Sequence, residues 1–183
     1  MTTPRFTANP AGIAAGILAM TAIVALSNYA VQFPINDWLT WGALTYPAAF
    51  LVTDLTNRAL GPRAARRVIY VGFALAVILS VWLADARIAA ASGTAFLAAQ
   101  LLDVAVFNRL RAGVWWRAPL VSSSLASILD TALFFSIAFA GTGLPWITWA
   151  LGDLGVKMAM AGLMLLPFRL LMPALRPQLA DAD

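Results

Sequence analysis

The chain has 183 residues, one domain's length, of which 62% are hydrophobic and only 11% charged; an ordinary soluble domain is about one quarter charged. A mean hydropathy of +0.83 excludes a soluble globular protein, and the net charge of +4 sits between apolar runs, where it reads as membrane-topology charge rather than a nucleic-acid surface. With no Cys, His or Glu, disulfides, thiolate chemistry, histidine acid–base catalysis and nearly every zinc site are excluded too.

A bilayer core of about 30 Å needs about 20 apolar residues per helix. Six such runs follow along the chain, at 11–32, 38–57, 67–86, 90–109, 119–140 and 147–170. The first contains "AGIAAGILA", with small residues at Ala11, Ala15 and Ala19 and again at Gly12 and Gly16. Small-xxx-small faces let helices pack closely. Asn28 and Gln32 fall near its far end. The run is too long for a signal-peptide core and lacks a convincing cleavage site, so it is expected to be a retained helix. After the turn "FPIND", the second run places Tyr46, Phe50, Thr53 and Asn57 at i, i+4, i+7 and i+11, with Asp54 beside them. "RALGPRAARR" leads to the third run and "ADAR" to the fourth, where Phe96, Gln100, Asp103 and Phe107 repeat that spacing. Past "NRLRAGVWWRAP", the fifth run carries Ser123, Ser127 and Asp130, with Thr131 adjacent. Past "GTGLP", the sixth carries Asp153 and Lys157 at i, i+4, a spacing that permits an ion pair. Each polar set therefore occupies one helical face.

Arginine sets the orientation. Arg5 precedes the first run; Arg58, Arg63, Arg66 and Arg67 fill the second connection; Arg109, Arg111 and Arg117 fill the fourth; Arg169 and Arg176 end the chain. The third connection holds only Arg87, and the first and fifth hold none. The positive-inside rule then places both termini and the even connections in the cytoplasm. Trp38, Trp41, Trp82, Trp115, Trp116, Trp146 and Trp149 fall near predicted helix ends, as an interfacial belt does. The expected architecture is an all-α integral membrane protein, one transmembrane domain of six helices over 1–183.

A carboxylate near the bilayer centre costs several kcal/mol, which marks such groups as functional. Asp103 and Asp130 lie close to mid-depth on polar faces, with no basic residue nearby in sequence. They are expected to face one cavity together with Phe96, Gln100 and Phe107. Asp54, Asn57 and Arg58 read either as a solvated helix end or as an inner gate, and Asp153 with Lys157 either as a structural pair or as part of the site. Ser122 to Ser124 alone read as packing residues. The candidate substrate-binding set is Tyr46, Phe50, Asp54, Asn57, Phe96, Gln100, Asp103, Ser127, Asp130, Asp153 and Lys157, with no metal and no cofactor. Carboxylates accept paired N–H donors, amides donate and accept, and aromatic rings stack on flat heterocycles. Such a lining suits a small planar base better than a sugar, lipid or peptide. Its negative tally favours a neutral or cationic ligand, and a carboxylate there could carry a coupled proton. No Walker-type phosphate loop occurs, so transport by this chain is passive, ion-coupled or energised by a partner. An enzyme is disfavoured, because no His can activate Ser123 or Ser124 and Lys157 is the only lysine.

Four strings carry a family resemblance: "TYPAAFLVTDLTNR" (45–58), "SGTAFLAAQLLDVAVFNRLR" (92–111), "WWRAPLVSSSLASILDTALFF" (115–135) and "LGDLGVKM" (151–158). Together, and in this order, they resemble the queuosine precursor transporters, six-helix inner-membrane proteins of the vitamin uptake transporter family. The resemblance covers about residues 15 to 173. It implies uptake of 7-cyano-7-deazaguanine and 7-aminomethyl-7-deazaguanine for queuosine synthesis in transfer RNA, by an ion-coupled or facilitated route. The alternative is a vitamin- or nucleobase-binding membrane subunit that needs a separate energising module. The implied partners are a small 7-deazapurine and membrane lipid, not nucleic acid. The resemblance does not distribute roles among the aspartates. Between 49–60 and 95–110 there is an internal echo, "AFLVTDLTNRAL" against "AFLAAQLLDVAVFNRL". Six helices are few for repeat-built alternating-access folds, so a homodimer is compatible with the sequence.

Overall fold

Asn9 and Pro10 open the first helix. Asn9 Oδ1 accepts from the Gly12 N–H at 2.8 Å, and Pro10, at the first helical position, has no N–H to leave unpaired. This helix, α1 (Pro10–Ala30), begins the computed structural model, which describes residues 9–30, 33–36, 39–83 and 86–175. Arg5, Gln32, Trp38 and Arg176 lie outside the described residues, as do the side chains of Asn28 and Trp82.

The second apolar run is not one helix. Strands β1 (Pro34–Asn36) and β2 (Leu39–Thr40) pair antiparallel, where the sequence suggested only a turn and a helix start. A short helix α2 (Trp41–Thr45) follows. Pro47 then lacks the N–H that would continue the helix, and α3 (Ala48–Leu83) starts after it. The expected connection between the second and third runs is present but contracted: the two arms written together as α3 meet at Gly61, φ 82 and ψ 173, a backbone region open essentially to glycine alone. Pro62 comes next and cannot donate to the Arg58 carbonyl. Arg111 supplies the missing donor: its Nη2 donates to the Asn57 carbonyl at 2.5 Å and to the Arg58 carbonyl at 3.2 Å.

Helices α4 (Ala86–Leu110) and α5 (Arg117–Phe139) come next. Arg87 reaches across to the end of α5, where Nε donates to the Ile137 carbonyl and Nη2 to the Ala140 carbonyl, both at 2.7 Å. Carbonyls of a last helical turn have no partner within the helix, so this arginine acts as a cap. Gly141 and Gly143, both at positive φ, turn the chain into α6 (Trp146–Leu163). The last run breaks at Met164 before α7 (Leu165–Leu171), because Pro167 cannot donate back to the preceding turn.

Helix directions follow from the contacts. A Cβ on Gly12 would meet Leu60 and one on Gly16 would meet Thr56, so α1 runs against residues 48–60. Gly16 also faces Val68 and Met20 faces Gly72, so α1 runs with residues 62–83. The two arms of α3 therefore form a hairpin about Gly61. Thr53 bonds Gln100 and Asn57 bonds the Val104 carbonyl, which makes 48–60 parallel to α4. Helix α5 runs back against α4, with Arg87 at one end and Asp103–Ser123 midway. Helix α6 runs back against α5, with Lys157 on Asp130 and Trp149 on Phe139. Met20, Val24, Ala49, Val68, Ile69, Phe96 and Val104 form the main apolar core between α1, α3 and α4. Gly12 and Gly16 face into this bundle, whereas Ala11 and Ala15 are exposed.

Pro10–Ser27, Ala90–Leu110, Arg117–Phe139 and Trp146–Leu171 are long and apolar enough to cross a bilayer. Helix α3, which carries Asp54, Arg58, Arg63, Arg66 and Arg67, is not among them. Leu18, Leu151 and Leu170 leave about two thirds or more of their surface open, as lipid-facing residues do. The chain is an all-α multi-pass membrane protein.

Candidate functional site

Helix α5 presents Ser123, Ser127 and Asp130 on its buried face. Two polar clusters form along it. In the first, Asp54 from α3 and Asp103 from α4 meet the hydroxyls of α5. Ser122 Oγ donates to Asp54 Oδ1 at 3.3 Å. Ser123 Oγ lies 3.3 Å from Asp54 Oδ2 and 3.4 Å from Asp103 Oδ1; with one hydrogen it donates to one carboxylate at a time. Ser123 thus bridges the two carboxyl groups. Asp54 is 2% exposed and Asp103 0%. Among the described residues no cation pairs with either. Asp103 Oδ2 is buried with no hydrogen-bond partner.

The second cluster is an ion triad. Lys157 Nζ on α6 lies 2.7 Å from Asp130 Oδ2 and 2.5 Å from Asp153 Oδ2, and it donates to Thr131 Oγ1 at 3.1 Å. Thr131 Oγ1 in turn donates to Asp153 at 2.8 Å. Tyr46, at the α2–α3 break, donates its hydroxyl to Asp130 Oδ1 at 3.4 Å, and its ring lies 5.8 Å from the Lys157 ammonium. One ammonium between two carboxylates leaves the triad with a net charge of −1 when all are ionised. Burial makes this arrangement depend on every partner, since an unpaired buried charge costs several kcal/mol.

A cleft joins the clusters. Asp54, Ser123 and Ser127 form one wall and Lys157 and Ala161 the other. Pro47 and Phe50 flank it on the α2–α3 side, and Met164, Leu165 and Phe168 on the α6–α7 side. It thus lies between two helix breaks. The cleft is narrow, with room for about one water.

The residues singled out in the sequence divide into three sets, with Asp103 apart from all three. Phe50, Asp54, Ser127 and Lys157 line the cleft. Tyr46, Asp130 and Asp153 stand around Lys157. Asn57, Phe96, Gln100 and Phe107 pack elsewhere: Gln100 accepts from Thr53 at 2.6 Å, Phe96 and Phe50 each pack edge-on to Tyr46, and Phe107 packs on Phe168. Asp103 belongs to the Asp54 cluster, and Asp130 belongs to the Lys157 cluster. One amide atom of Asn57 and one of Gln100 remain buried without a partner. Missing from the sequence reading were Ser123 as a cleft residue and the α6–α7 wall. A signal for that wall existed: Ala161, Met164 and Phe168 continue the Lys157 face at i+4, i+7 and i+11.

Comparison with known proteins adds the family. A family profile described as "Putative vitamin uptake transporter" matches residues 40–86 and 80–172. A protein of Haemophilus influenzae named "Probable queuosine precursor transporter" is 39% identical over 166 residues, 70% of this chain and 71% of its own length. The "Queuosine precursor transporter" of Escherichia coli K12 is 35% identical over 189 residues, 87% of this chain and 86% of its own. A "Probable queuosine precursor transporter" of Bacillus subtilis is 25% identical over 130 residues, 56% of this chain and 57% of its own.

Proposed function

The chain belongs to the vitamin uptake transporter family, and from that premise we propose that it imports queuosine precursors across a bacterial inner membrane. The observation that carries this reading is 35–39% identity, over most of the chain, to two proteins named as transporters of queuosine precursors. The cargo on this reading is a 7-deazaguanine base, 7-cyano-7-deazaguanine or 7-aminomethyl-7-deazaguanine, used for transfer-RNA modification. Such a base has N–H donors along one edge, a carbonyl acceptor and a flat ring. Asp54 and Ser127 face the donor edge, Lys157 the carbonyl, and Phe50 and Phe168 the ring. Asp130, Asp153 and Tyr46 hold Lys157 in place rather than touching the cargo.

The cleft as it stands has room for about one water, so cargo enters only when its walls separate. The breaks at Pro47 and Met164 flank it on its two sides. The topology on this reading is a single transmembrane domain of six passes with both termini in the cytoplasm. It is supported by the alternating helix directions and by the arginines near Gly61, at Arg111 and at Arg169, which gather at one end.

A binding assay on the purified protein tests the cargo class. A ligand that binds only the folded state at about 100 times its Kd stabilises by about 2.7 kcal/mol. A 7-deazaguanine base should raise the melting temperature where guanine raises it less. Stabilisation by an unrelated vitamin and by no 7-deazaguanine would refute this reading.

A further inference from the structure

We propose that Asp54 and Asp103 together hold the single proton that couples cargo movement to a proton gradient, and that Lys157 with its two carboxylates takes no part in that coupling. This deepens the transport reading and rests on it.

The two clusters differ in the one respect that matters for a proton. Asp130 and Asp153 share an ammonium within 2.7 Å, so each of these carboxylates has a cation partner. Asp54 and Asp103 have no such partner. Around them, one turn beyond Asp54, α3 adds Arg58, whose guanidinium Nε is buried without a hydrogen-bond partner and, among the described residues, pairs with neither carboxylate. Helix α5 adds only the neutral hydroxyls of Ser122 and Ser123. Helix α6 adds Lys157 across the cleft, held by its own carboxylates, and α7 adds Phe168. Two buried carboxylates that share one serine hydroxyl repel unless a proton neutralises one of them, and two unpaired charges in a buried site cannot both persist. Asp103 Oδ2 is a fully buried oxygen with no donor; a proton shared with Asp54 satisfies it.

The geometry also gives the proton a route and a switch. Asp103 does not line the cleft, whereas Asp54 and Ser123 do. A proton on the pair therefore reaches the cleft through Asp54 or through the Ser123 hydroxyl. Cargo whose N–H edge bonds one Asp54 oxygen leaves the shared proton on the other, so cargo and proton occupy the site together and cross in the same direction. When the walls open to one side, the pair takes one proton from that side; when they open to the other, it releases that proton. No other bond is made or broken.

The experiment uses the purified full chain in liposomes loaded with a pH-sensitive dye and supplied with 7-cyano-7-deazaguanine, a neutral base that brings no charge of its own. Tracer counterflow measures exchange, and the dye measures proton entry. Wild-type protein should carry out counterflow, and adding the base outside should acidify the lumen. Asp103→Asn should lose acidification while counterflow remains measurable, and Asp103→Glu should restore acidification. Wild-type counterflow without acidification overturns this inference and leaves the transport reading standing. Acidification by Asp103→Asn equal to wild type also overturns it. Absence of counterflow in wild type instead refutes the transport reading itself.

Discussion

At the residue scale, Lys157 ties together one of the two buried polar clusters, since it bonds Asp130, Asp153 and Thr131 at once. Removing it leaves two buried carboxylates facing each other without a cation. Lys157→Ala should therefore destabilise the protein by about 3–5 kcal/mol, read as a lowered melting temperature in detergent. Asp130→Asn is a milder change. It leaves Lys157 paired with Asp153, and the charge of the triad falls from −1 to neutral. That variant should stay folded and inserted yet lose most uptake, because Lys157 loses the partner that positions it at the cleft. Equal melting temperatures for the two variants would contradict the triad account. The polar stripes were legible in the sequence because helical spacing alone puts Ser123, Ser127 and Asp130 on one face. The i, i+4 pair of Asp153 and Lys157 was legible for the same reason. The partner of Asp130 was not, because it lies 27 residues away on another helix. A mid-depth aspartate without a nearby base in sequence looked unpaired, and tertiary packing supplied its base.

At the element scale, the fold depends on where helices stop. The α3 hairpin turns on Gly61, and Arg111 completes the carbonyls that the turn leaves open. Gly61→Ala should cost about 1–3 kcal/mol, since a side chain is strained at that φ and ψ. Pro62→Ala should cost less, about 0.4–1 kcal/mol, through the unfolded chain. Chemical unfolding of the two variants side by side checks the order, and a Gly61→Ala protein as stable as Pro62→Ala would contradict the turn assignment. Apolar runs were visible from composition, but the breaks inside them were not placed correctly. The string "RALGPRAARR" reads as a loop because Gly, Pro and four charges cluster there. It stays helical on both sides of one residue because Arg111, from a distant connection, satisfies the open carbonyls. Pro47 and Pro167 were visible too, yet a continuous apolar run around each masked the break. Those two breaks flank the cleft, so the part of the site formed by α6 and α7 was the least legible.

At the scale of the whole molecule, successive helices reverse direction, and Arg58, Arg111 and Arg169 gather at the end where α3 turns and α7 finishes. A reporter fused to the C-terminus should be active only if it works in the cytoplasm; activity of a reporter that works only in the periplasm would overturn the orientation. Asp54, Lys157 and the hydroxyls of Ser123 and Ser127 line one cleft in a chain whose relatives are named as transporters of queuosine precursors, and import is the use proposed for that cleft. The most direct measurement is uptake of a radiolabelled 7-deazaguanine precursor by cells that lack their own route, with protein amounts matched by blotting. The account predicts accumulation well above an empty vector for the wild-type chain, competition by unlabelled 7-deazaguanine bases, and near-background uptake for Lys157→Ala. Wild-type uptake indistinguishable from the empty vector, with the protein present in the membrane, would contradict it.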